Sequence, residues 1–322
     1  MASYPKLPEE YEEDELYHGG RPSLPCQEQQ VLKGHEGAVL AVRFNPHGSY
    51  CVSCGKDRTV RLWNPHNGVL VKTYVGHGYE VRDAAITRDN SKFASCGGDK
   101  QIFLWDVASG NFIRKLRGHD STVDALCLAA DDSVLLSAGY DQCVKVRQLK
   151  VWDMKSRSID AIQVLKGFQD SVTCVATSGA SIFAGSVDGS VRRFDVRMGR
   201  ATADQLHHPI TGLAVTRDGL CLLAACTDST LRLLDVGGGQ QLATYTGHVH
   251  AAVKMDCCLT PSDAYVVGSS ETGEVFYWDL VKAEMVEQFK AHGGVVTSMS
   301  MHPDGELLLT SSVDGVVKVW AK

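Results

Sequence analysis

No stretch of about 18 apolar residues occurs in this 322-residue chain, so nothing in it predicts a helix that crosses a bilayer. The N-terminus lacks the basic, apolar pattern of a signal peptide and is instead acidic and proline-bearing, which points to a cytoplasmic and nuclear address and no membrane partner. Several chemistries are excluded by missing motifs: there is no GxxxxGK[ST] phosphate loop, no HExxH, no GxSxG and no glycine-rich turn between a strand and a helix. Helical periodicity is also missing, and Gly237-Gly238-Gly239 reads as a turn between strands. A basic stripe is lacking too. Of the net charge of −6, the first 26 residues carry −4, six acids (Glu9, Glu10, Glu12, Glu13, Asp14, Glu15) against Lys6 and Arg21, which leaves −2 on residues 27–322. That balance gives no footprint for direct nucleic-acid binding and marks residues 1–26 as an acidic tail expected to be disordered.

Cysteine is not scarce, yet its eleven copies show no paired spacing. Cys26 apart, they fall at strand positions, where a small apolar side chain packs well, and are expected to be reduced core thiols. Cys51 and Cys54 have the spacing of a metal or redox pair, but in a strand residues three apart face opposite ways and no second pair follows. No metal and no cofactor are expected.

What the chain does have is a period. Gly34-His35, Gly76-His77 and Gly118-His119 are each followed, 22 residues after the His, by Asp57, Asp99 and Asp141. Trp63 and Trp105 come six residues after their Asp. Extending the frame places Trp63, Trp105, Trp152, Phe194, Leu234, Trp278 and Trp320 at one position, with spacings of 42, 47, 42, 40, 44 and 42. The opening His recurs as His248 and His292 and becomes Phe168 and Leu206 in two units, and the turn position continues as Asp188, Asp228, Thr272 and Asp314. Seven units of this length predict an all-β, seven-bladed propeller over residues 27–322. The last unit stops one strand short, so residues 27–33 should complete it and leave no open sheet edge.

These dipeptides, turn acids and tryptophans resemble the WD-repeat family. The resemblance implies a hydrogen-bonded structural set in each unit: His35, Ser53, Asp57 and Trp63; His77, Ser95, Asp99 and Trp105; His119, Ser137, Asp141 and Trp152. A Ser, a His and an Asp can also form a nucleophilic triad, but a set that recurs at repeat spacing is what a scaffold produces and an active site does not. No catalytic residue is expected, and the chain is not expected to be an enzyme.

Comparing the units with one another exposes two departures. The residue before the Trp reads Leu62, Leu104, Val151, Arg193, Leu233, Tyr277 and Val319, and an Arg in a packed slot needs a carboxylate or carbonyl partner. With Arg192 and Arg197 nearby, the fourth blade could carry a basic patch. The third unit is five residues longer than the first two, and removing 146–150 would restore the standard spacing; such an insert should loop out of the ladder as a bulge.

Segments 76–85, 185–199, 209–211, 228–235 and 254–259 resemble, more narrowly, the mitogen-activated protein kinase organiser family of WD-repeat scaffolds. That implies a non-enzymatic scaffold, a monomeric ring within larger complexes, with signalling kinases and splicing factors as protein partners. A rival function is the substrate receptor of a cullin-type ubiquitin ligase, because Phe194-Asp195-Val196-Arg197 matches a Trp-Asp-x-Arg box except at its aromatic residue. On the face that carries the turn acids, the residue before each Asp and the third and fifth after each His should be exposed. Glu80, Arg82 and Tyr140 are the first candidates there for partner binding, with Arg192, Arg193 and Arg197 on the fourth blade.

Overall fold

A computed structural model of the chain describes residues 23–140, 149–155, 158 and 160–322. Among these residues there is no helix, and 28 strands form seven antiparallel sheets of four strands each. The sheets are the blades of a propeller, each with an inner strand a, then b, c and an outer strand d. In blade 1 these are Val39–Phe44, Cys51–Gly55, Thr59–Asn64 and Val69–Val75. Strand b is buried at every residue because neighbouring blades cover both of its faces, which explains its small and apolar composition. Strand d alone reads as mostly exposed.

The turn between b and c shows why an Asp recurs there. Asp57 Oδ1 accepts from the amide of Thr59 at 3.2 Å and Asp99 Oδ1 from that of Gln101 at 3.2 Å, so the side chain closes the turn. The following residue takes a left-handed backbone: Arg58, Lys100 and Ser229 have φ of 64°, 65° and 62°.

The ring closes as the sequence predicts. Strand Gln27–Lys33 pairs antiparallel with Val316–Ala321 as the outer strand of the seventh blade, and Lys318 Nζ reaches Glu28 Oε2 at 2.6 Å. Leu32 is buried in one cluster with Val39, Trp63 and Leu309, so this strand also fills the junction with the first blade.

Two details differ from the sequence reading. Residues 23–26, grouped there with the acidic tail, pack on the ring: Leu24 is buried in a cluster with Val267, Tyr277 and Leu308, Tyr277 Oη donates to the Pro25 carbonyl at 2.9 Å, and the Cys26 amide donates to Ala321 O at 3.0 Å. The rest of that tail lies outside the described residues. In the third blade Leu149 and Lys150, placed in the insert by sequence, are paired with Ala138 and Ser137 in the register that Val60 and Arg61 hold against Cys54 and Ser53. The extra length therefore falls between Tyr140 and Leu149, outside the described residues, and the ladder keeps its register. The Cys51 and Cys54 side chains do face opposite ways, into the clusters on either side of blade 1, and burial pushes both thiols up.

Removing residues 23–33 strips both the closing strand and the Leu24 anchor. It should lower the melting temperature by more than about 10 °C, several kcal/mol in a domain of this size, whereas removing residues 1–22 should shift it by less than about 2 °C; thermal melts of the two truncations check this.

Candidate functional site

Trp, Ser, His and Asp come together in a chain of hydrogen bonds inside the blades. In blade 1 Trp63 Nε1 lies 2.8 Å from Ser53 Oγ, which lies 2.7 Å from His35 Nε2, while His35 Nδ1 lies 2.8 Å from Asp57 Oδ2. Blade 2 repeats this with Trp105, Ser95, His77 and Asp99 at 2.7 Å throughout. The direction of the chain follows from what each group can do. An indole N–H only donates, so the serine oxygen accepts from it and gives its own hydrogen to Nε2, leaving Nδ1–H to donate to the carboxylate. In blade 3 Trp152, Ser137 and His119 are connected at 2.8 and 2.7 Å; Asp141 lies outside the described residues. The structure adds a fourth relay in blade 7, through Trp320, Thr310, His292 and Asp314. The clue to it in the sequence is Thr310, four residues before its Asp as Ser53 is before Asp57.

Electrostatics follow from this wiring. Burial alone would raise the Asp57 carboxyl, but the hydrogen bond and charge of His35, with the Thr59 hydroxyl and amide, hold it well below the usual carboxylate range. Asp99 is lowered in the same way: burial is the largest single influence and would raise it, but the hydrogen bond and charge of His77 together with the amides of Gln101 and Gly78 prevail. The serine oxygen of each relay is thus occupied on both sides.

Blades 4 and 5 replace the relay as a unit. Phe168, Ala184 and Phe194 pack in one apolar cluster, as do Leu206, Ala224 and Leu234. The turn acids Asp188 and Asp228 stay, but they are bonded otherwise, Asp188 to the amides of Gln169 and Ser190 and Asp228 to the Thr230 hydroxyl, so exchanging Trp, Ser and His together for apolar groups strands none of the relay's partners. Blade 6 is the exception. It keeps His248 and Trp278, but Gly268 stands at the serine position, paired with Phe276 as Ser53 is with Arg61, and Thr272 replaces the Asp. Trp278 Nε1 donates instead to the Thr246 carbonyl at 3.0 Å, and both ring nitrogens of buried His248 are without a partner. Burial, and then the neighbouring His250, push the His248 imidazole down to about 4.

The six candidate partner-binding residues do not form one site. Arg82 spans Glu80 at 3.1 Å and Asp124 at 2.6 Å, bracing blades 2 and 3 across the rim of the turn-acid face, and Tyr140 is exposed beside that rim. Asp124, Thr211 and Thr297, assigned by sequence to the exposed face, are buried; Thr297 Oγ1 donates to Val39 O of the next blade at 2.6 Å. The expected basic patch on blade 4 is dispersed, because consecutive strand residues point to opposite faces. The Arg192 guanidinium lies 5.2 Å from the Phe168 ring centroid. Arg193 donates to Ser181 Oγ at 3.2 Å and to Val236 O of blade 5 at 2.8 Å, so its partner is a carbonyl and it fastens two blades. Arg197 is exposed in the turn after strand c.

A polar knot at the axis escapes the sequence reading. Arg43 of blade 1 pairs with Asp83 of blade 2 at 3.1 Å and with Asp256 of blade 6 at 2.8 Å, and Ser298 of blade 7 donates to Asp256 at 2.6 Å. Lys254 Nζ reaches the Asp124 carbonyl at 2.6 Å. The available clue is a strand-a position that reads Ala41, Asp83, Ala125, Cys174, Gly212, Asp256 and Ser298: two charges among small residues. Among the described residues no cluster of three or more His, Cys, Asp or Glu is placed to hold a metal.

The family model described as "WD domain, G-beta repeat" matches residues 26–64, 68–106, 110–153, 160–195, 239–279 and 283–321. The unmatched stretch is the fifth blade, where Leu206 and Leu234 stand for His and Trp. Over 299 residues, 93% of each chain, the sequence is 52% identical to "WD repeat domain-containing protein 83" of Rattus norvegicus and 49% identical to that of Homo sapiens. It is 29% identical, over 90% of this chain and 97% of the relative, to "WD repeat domain-containing protein 83 homolog" of Dictyostelium discoideum.

Trp105→Ala should cost about 3–5 kcal/mol through the cavity it opens, and His77→Ala about 1–3 kcal/mol through the partners it strands; denaturant titrations of both read these losses. His248 supplies a pH test. Its folded-state pKa lies below the ordinary 6.5, so its neutral form is the one the fold accepts. Its contribution to stability is intact above pH 6.5 and declines as pH falls toward 4. His248→Leu, the residue of blade 5, should therefore melt close to wild type at pH 7 and lose less stability than wild type at pH 5.

Proposed function

The chain belongs to the WD-repeat family, and from that premise we propose that it is a non-enzymatic scaffold holding proteins together, as its likeness to the mitogen-activated protein kinase organiser implies. One observation carries the reading. In the relays of blades 1, 2 and 7 the Ser or Thr, His and Asp groups that could do chemistry are spent on one another inside the blades, so what is left for function is the outer surface of a stiff ring. A rigid ring with several faces can engage more than one protein without reordering, which keeps the entropic cost of association low. Components of a signalling-kinase cascade in the cytoplasm and pre-mRNA splicing factors in the nucleus are the partners this reading assigns, with the ring itself monomeric.

The ligase-receptor reading is less favoured. Asp195 is used to build its own turn, accepting from the amides of Arg197 and Met198 at 2.9 Å, and Asp279 does the same in blade 6 with Val281 and Lys282 at 3.0 and 2.8 Å. The Asp-x-Arg sequence is thereby accounted for as a strand connection.

Proximity labelling with the full chain in nuclear and cytoplasmic fractions tests the proposal. Kinase-cascade and splicing components should be enriched, and Tyr140→Ala should reduce part of that set at least fivefold with an unchanged melting temperature. Recovery of a ligase adaptor, lost on Arg197→Ala, would favour the rival instead.

A further inference from the structure

Each pair of neighbouring blades leaves a wedge on the face opposite the turn acids, and the molecule fills these wedges in different ways. Between blades 6 and 7 the filler is a peptide. Leu24 inserts into a cluster that includes Tyr265, Val267, Tyr277, Val286, Met301 and Leu308, and Tyr277 holds the next residue by its carbonyl. Between blades 4 and 5 Arg193 itself fills the gap, tied to Val236 O. Between blades 1 and 2 the wedge is open, a cavity of about 370 Å³. Its lining is the same set of positions: Tyr50, Val52, Leu62, Val71, Ile86 and Phe93 occupy the registers of those six residues one for one. A second open wedge, between blades 3 and 4, departs from the pattern, with Thr177 in the place of Ile86 and Met301.

The described part of the peptide in the filled wedge is Ser23-Leu24-Pro25; in the sequence a proline precedes it, and the chain carries the same Pro-x-Leu-Pro pattern once more, as Pro5-Lys6-Leu7-Pro8. We propose that Leu7 of this segment docks in the wedge between blades 1 and 2, as Leu24 does between blades 6 and 7. Reach permits it. Seventeen residues separate Leu7 from Leu24, up to about 56 Å of extended chain, against a ring about 50 Å across. The open wedge is two blade steps from the filled one. Charge agrees as well: Glu9 and Glu10 follow Pro8, while Lys72 lines the wedge and Lys92 adjoins Phe93. The tether gives Leu7 an effective concentration on the order of millimolar, enough for a site that takes one side chain.

The test places the photoreactive residue p-benzoyl-phenylalanine at position 7 of the full chain, and in a second variant at position 6 with Leu7 intact, so that steric misfit at one position does not decide the result. Irradiation at micromolar protein should give intramolecular cross-links to Val71, Ile86 or Phe93. Val71→Glu, at a half-exposed residue whose change should leave the melting temperature unaltered, should reduce them at least fivefold. Cross-links that map instead to the blade 3–blade 4 wedge, cross-links between two molecules, or none to the ring from either position would each overturn the proposal.

Discussion

The polar chain from Trp through Ser to His to Asp is the constraint on which the blades depend. A propeller buries the middle strands of each sheet between neighbours, and the turns at its rim must still be fixed relative to that buried interior. A line of four groups, each giving a hydrogen to the next, reaches from the indole of strand c to the carboxylate that closes the b–c turn. In doing so it joins strands b and c, the turn between them and the loop before strand a. Such a chain is valuable only when complete, because a buried donor or acceptor without a partner costs more than the bond itself gains. Blades 4 and 5, which replace its Trp, Ser and His together with Phe, Ala and Leu and keep only the acid that closes the turn, obey the same rule as blades 1 and 2, which keep it whole. Blade 6 breaks the rule: His248 remains in place without Ser or Asp, and burial holds its imidazole below the ordinary range.

The second constraint is geometric. Flat-sided sheets arranged round an axis diverge outward, and the junctions between blades 1 and 2 and between blades 3 and 4 open into wedges, while others are filled or bridged. The chain uses a guanidinium bound to a carbonyl at one junction and a leucine from its own N-terminal segment at another. At the axis, where the blades converge, the problem reverses, and there Arg43 joins blades 1, 2 and 6 through two carboxylates. These contacts tie blades together in pairs and threes, while the closing strand makes the array a ring.

The repeat, the number of blades and the closing strand were legible because each rests on a residue type at a fixed spacing. The blade 7 relay was legible in principle, since Thr310 offers the same hydroxyl as Ser53, but a search for serine passes over it. Contacts between blades were not legible. Arg193 announced itself as an anomaly in its slot, yet that its partner is the Val236 carbonyl depends on how two blades meet, which no local pattern records. Leu24 looked like part of a charged tail because its neighbours in sequence are polar or proline, while its neighbours in space are Tyr277 and Leu308. Leu149 and Lys150 were misplaced for a related reason: spacing reveals that five residues are extra but not which five, and both of these stand in the ladder opposite Ala138 and Ser137.

Hydrogen exchange of the five indole N–H groups, resolved by nuclear magnetic resonance, tests the account most directly. Trp63, Trp105, Trp152 and Trp320 donate to a buried hydroxyl that the rest of the relay holds in place, so their exchange should require global unfolding. Trp278 donates to a loop carbonyl beside an unpartnered imidazole, and should exchange at least tenfold faster at pH 7 through local opening. The excess of its local opening over global unfolding should grow as the pH is lowered toward 5. Five indoles exchanging at one common rate, or Trp278 proving the slowest, would contradict the claim that complete relays are what hold the blades.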